Sequence, residues 1–161
     1  MNSINMGKVI VGGVVAGVVF MLGGFLAEQV KGVFITVAEV AEVAEGAASG
    51  EPNAVAMTIY ILCVGIMTAW IYAAIRPRFG PGPGTAFKAS TAAWLIWSVF
   101  GFTMTYWLGI LSGSEVMFGT IAAFIYMNAG GYVAAMMYQE EGSGSGASTS
   151  SAPATNEYVK N

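Results

Sequence analysis

Four long apolar runs constrain this chain more than any other feature. They cover about residues 7–27, 54–75, 86–111 and 116–138. Each approaches or exceeds the roughly 20 residues a helix needs to cross a ~30 Å hydrocarbon core. Hydrocarbon offers no hydrogen-bond partners, so each segment must satisfy its own backbone groups, and helices follow. The alternating pattern of a membrane β-barrel, in strands of about ten residues, is absent. The expected fold is therefore all-α, an integral membrane four-helix bundle. Charged residues make up only 9% of the chain, against roughly 25% in soluble domains. Such a surface suits lipid as its solvent.

The first run follows Lys8 and superficially resembles a signal sequence. It is longer than the roughly 7–15 residues of a signal core, and Leu26 stands where a cleavage site wants a small residue. It reads as an uncleaved first crossing. Lys8, Arg76, Arg78 and Lys88 collect on one side of the predicted bundle. The other side holds Lys31 with Glu28, Glu39, Glu42, Glu45, Glu51 and Glu115. The side richer in Lys and Arg should face the cytoplasm, which places both termini inside. The expected division is a transmembrane domain over 1–141 and a cytoplasmic tail over 142–161.

The first outer loop carries a threefold Val-Ala-Glu repeat over 37–45. At helical spacing its valines share one side and its glutamates the other, so it predicts a short amphipathic helix on the membrane surface. The Pro- and Gly-rich stretch 76–84 is expected to be a non-helical connection. The Gly/Ser/Thr-rich tail is expected to be disordered.

Small residues recur at helical spacing. Gly13 and Gly17 sit on the first run, Gly65, Ala69 and Ala73 on the second, and Gly130 and Ala134 on the fourth. Such faces let helices approach closely where lipid supplies no hydrophobic drive. They serve packing within the chain or an interface with another subunit. Thr91, Ser98 and Thr105 repeat every seven residues, and Asn128 lies near the middle of the fourth run. Together they define a candidate polar seam, or else a set of local hydrogen bonds. Arg76, Arg78 and Lys88 are candidate contacts for anionic lipid headgroups. Tyr60, Trp70, Tyr72, Tyr106, Trp107 and Tyr138 are expected as anchors near helix ends. Glu28 and Glu115 are expected as solvated carboxylates at the outer surface.

Several chemistries are excluded as expectations. The chain has no histidine and one cysteine, Cys63. It therefore lacks the commonest general base and the commonest metal and haem ligand, and Cys63 has no base to activate it. No catalytic residue, metal site or cofactor is expected. The six basic residues form no patch, so nucleic acid is not an expected partner.

The segment 71–86, I-Y-A-A-I-R-P-R-F-G-P-G-P-G-T-A, resembles a stretch of small uncharacterised four-helix bacterial inner-membrane proteins. The opening 12–19, G-G-V-V-A-G-V-V, is similar to theirs. Members carry polar residues late in the first crossing, whereas 20–25 here is wholly apolar. The resemblance implies a multi-pass protein of the bacterial inner membrane and brings no activity with it. The residues together lead to the expectation of a non-enzymatic accessory or scaffolding subunit. Its partners would be the lipid bilayer and other membrane subunits, or a second copy. The alternative is a small transporter or channel for a neutral or apolar solute.

Overall fold

The computed structural model describes residues 4–35 and 53–138, and every regular element among the described residues is a helix. The repeat over 37–45 and the tail over 142–161 lie outside the described residues. Helix α1 spans Met6–Phe34, α2 spans Ala54–Phe79, α3 spans Pro83–Trp94, α4 spans Phe100–Trp107 and α5 spans Gly113–Met137. A π-helical turn, Leu95–Val99, joins α3 to α4, so these form one helical rod. Helices α1, α2 and α5 are each long and apolar enough to cross a membrane.

Local chemistry fixes the helix starts. The Asn5 side chain accepts from the Lys8 N–H, and that of Asn53 accepts from Val55 and Ala56. These cap donors that have no partner within the helix. Ser112 and Glu115 form a reciprocal capping box at the start of α5, which satisfies two such donors at once.

Several boundaries differ from the sequence expectation. Helix α1 continues past Ala27 to Phe34, where Lys31 pairs with Glu115 of α5 and with Glu28 of its own helix. Helix α2 runs through Pro77 to Phe79, and α3 begins at Pro83, so the connection expected over 76–84 shrinks to 80–82. Pro77 sits in the last turn of α2, where its missing N–H costs one hydrogen bond. The Gly80 N–H then closes the helix on the Arg76 carbonyl at 2.8 Å. Gly80 and Gly82 have φ of 79° and 132°, a region that favours glycine. The third run stops being helical at Trp107 rather than 111, with Gly109 at φ 70°.

Rods that follow one another in sequence run antiparallel, as do α1 and α5. Along α1, Gly13 and Gly17 face Ile66 and Leu62 of α2, while Gly12 and Gly23 face Ala134 and Tyr126 of α5. Ser90 meets Asn128 and Gly119 meets Phe102, which reverses the α3–α4 rod against α5. Residues 4 and 138 therefore lie at the same end. That end also holds Lys8, Arg76, Arg78 and Lys88, and is called the basic end below. The opposite, acidic end holds Glu28, Lys31 and Glu115.

The packing is the inverse of a soluble bundle. Helix α1 buries Gly12, Gly13, Ala16 and Gly17, and exposes Val11, Leu22, Phe25, Leu26 and Val33. Small residues inside bring the backbones together, and bulky apolar ones face outward, as lipid allows. The closest approach joins α1 to α2. A Cβ on Gly65 would fall on the Gly13 carbonyl and 2.5 Å from the Gly17 nitrogen.

Candidate functional site

The small-residue faces singled out in the sequence meet within the chain. Gly13 and Gly17 pack on Gly65, and Ala69 and Ala73 are buried further along α2. Gly130 lies against Phe20 and the Ala16 carbonyl of α1, and Ala134 lies beside Gly12. Gly131 does the same against Ser90 of α3. These contacts close the basic half of the bundle, where Thr68, Tyr72, Ala86 and Ala89 are also buried.

The polar residues do not form one seam. Asn128 accepts from Ser90 at 2.8 Å, lies 3.4 Å from the Thr91 hydroxyl, and donates to the Phe124 carbonyl at 2.8 Å. Ser98 instead meets the Met127 sulfur at 3.2 Å, and Thr105 donates to the Phe102 carbonyl of its own helix. The π turn explains the separation. It inserts an extra residue into the rod, so a spacing of seven no longer keeps one face. Helix α4 consequently buries no residue at all.

The acidic half is more open. A cavity of about 540 Å³ lies between α1, α2, α4 and α5, within the size range of small-molecule sites. Its floor includes the buried residues Phe20, Val64, Ser98 and Met127. Phe25, Tyr60, Trp97, Phe102 and Tyr126 add aromatic walls, and Thr105 and Glu28 complete the lining. The Tyr60 and Trp97 rings meet edge to face, with centroids 5.8 Å apart. Ser98 and Thr105 share this cavity, whereas Asn128 does not line it. Sequence spacing alone gave no sign of the cavity, because its lining is drawn from several helices distant in sequence.

On the other side of Tyr126 lies a larger apolar groove of about 850 Å³ between α1 and α5. Small residues, among them Gly23, Ala27, Ala122 and Ala129, alternate there with Leu22, Leu26, Ile121 and Ile125. Tyr126 can stand between groove and cavity because α1 has glycine at position 23. A Cβ on Gly23 would collide with the Tyr126 Cβ.

Beside the cavity, Lys31 Nζ lies 3.0 Å from Glu115 Oε1 and 3.3 Å from Glu28 Oε2. Glu115 is buried, at 7% exposure, rather than solvated as the sequence suggested. The Ser112 N–H also donates to Glu115 at 3.0 Å.

At the basic end, Lys88 Nζ lies 4.2 Å from the centre of the Phe79 ring and Arg78 lies 5.9 Å from it. Arg76 approaches the Tyr138 ring at 5.4 Å, and Tyr138 meets Tyr72 edge to face. Tyr72 and Tyr138 are thus buried packing residues rather than interfacial anchors. No protein-family model, curated protein or solved structure matches the chain.

Proposed function

We propose that this chain crosses a bacterial inner membrane four times, with its basic end in the cytoplasm, and serves as a non-enzymatic accessory subunit of a membrane assembly. The rod from Pro83 to Trp107 supplies the third crossing, since its 25 residues correspond to about 37 Å of helix. Arg78 and Lys88, held near one exposed ring, are suited to anionic headgroups on the cytoplasmic face.

The observation that carries the accessory role is the α1–α5 groove. Its small residues leave backbone accessible between bulky apolar flanks, the arrangement that seats a membrane helix by close packing. The small-residue faces at Gly13 and Gly17, Gly65, and Gly130 and Gly131 are already occupied internally, whereas this groove is open to a partner's helix. Gentle detergent extraction followed by mass measurement of the intact assembly tests the reading. A co-purifying membrane chain that is lost on Ala129→Phe, with the bundle still folded, is the expected result. A lone monomer would count against the proposal.

A second reading is transport of a neutral or apolar solute. It draws on Ser98 and Thr105 sharing one cavity wall. It also needs a path through the basic half, where Thr68, Tyr72 and Ala89 are buried, so it is the weaker of the two.

A further inference from the structure

We propose that the cavity between α1, α2 and α4 is a binding site for a lipophilic cation, an apolar or aromatic body carrying an ammonium group, with Glu28 at its mouth as the counter-charge.

Size and lining come first. At about 540 Å³ the cavity suits a small organic molecule. Its floor of Phe20, Val64 and Met127 is buried and apolar, so an apolar body is favoured there. The walls include the rings of Tyr60, Trp97 and Tyr126, whose faces attract a cation through their quadrupole. The mouth lies beside residues that remain exposed, Phe25, Met57 and Tyr60.

Charge decides the sign of the ligand. Among the described residues, Glu28 is the only formally charged one in the lining. Lys31 divides its ammonium between two carboxylates, and the nearer and more deeply buried is Glu115. The three groups together carry one net negative charge, and the Glu28 side chain remains 66% exposed. By sequence, the segment 36–52 contains four glutamates and no basic residue. An anionic ligand would meet repulsion at the mouth, where a cation meets attraction, and each lining ring that turns its face inward adds to the binding of a cation.

The test uses the full chain in phosphatidylcholine nanodiscs. Saturable binding of benzyltributylammonium is compared with that of neutral N,N-dibutylbenzamide. The cation should bind more tightly, and Glu28→Gln should weaken it by about tenfold or more while leaving the amide unchanged. Tyr60→Leu should weaken the cation several-fold with little effect on the amide. Unchanged amide binding also reports that each variant is folded. Equal binding of cation and amide, no saturable binding of the cation, or full affinity in Glu28→Gln would each overturn the proposal.

Discussion

Lys31, near the end of α1, reaches 3.0 Å to Glu115 in the first turn of α5, joining residues 84 positions apart in sequence. Glu115 is bound at once by this ammonium and by the Ser112 N–H, so one carboxylate both starts α5 and fixes it to α1. Glu28, on the same lysine, is largely exposed. The two glutamates therefore differ in what their removal costs. Glu115→Gln should destabilise the bundle by about 2–4 kcal/mol, because it strips a partly buried lysine of its main partner. Glu28→Gln should cost about 0–1 kcal/mol, as for an exposed pair. Reversible unfolding in mixed detergent micelles measures both, and equal losses would contradict this assignment.

The α1–α2 crossing sets a second expectation. Gly65→Ala places a methyl group against the Gly13 carbonyl and Gly17 backbone, atoms that cannot move without parting the helices. A loss of about 1–3 kcal/mol is expected, the usual cost of overpacking. At Gly24 an added Cβ meets nothing within 4 Å, so Gly24→Ala should leave stability unchanged or slightly raised. The same unfolding titration compares the two.

Asn128 offers a third. Its side chain links α5 to Ser90 on α3, while the Ser90 hydroxyl also lies 2.8 Å from its own helix's Ala86 carbonyl. With that alternative available, Asn128→Ala should cost only about 0.6–1.7 kcal/mol, the range of interhelical hydrogen bonds in lipid. A loss several times larger would mean that Asn128 serves a wider polar network than the contacts described above.

Much of the fold was legible in the sequence because lipid imposes so blunt a demand on composition. The apolar runs located the helical rods, and the spacing of Gly13, Gly17 and Gly65 marked a face that packs. What stayed hidden depends on partners distant in sequence or on backbone irregularity. Nothing near Lys31 announces that Glu115 will hold it. Pro77 normally argues for a helix end, yet here it falls within the last turn, where one lost hydrogen bond is tolerable. The π turn at 95–99 has no composition of its own. It separates Thr91, which lies near Asn128, from Ser98 and Thr105, which line the cavity. The cavity draws its lining from α1, α2, α4, α5 and the turn itself, so periodicity drawn on one straight helix could not reveal it.

The central claim is that four helical rods cross a bilayer, the third being the rod with the π turn. Two single-cysteine variants made in a Cys63→Ser background test it most directly. Pro81→Cys lies in the connection between α2 and α3, and Ile110→Cys in the connection between α4 and α5. In intact cells made permeable only at the outer membrane, a membrane-impermeant maleimide should label position 110 at once, and position 81 only after the inner membrane is opened. Labelling of both positions from the same side would mean that the rod between them does not span, and would contradict the account.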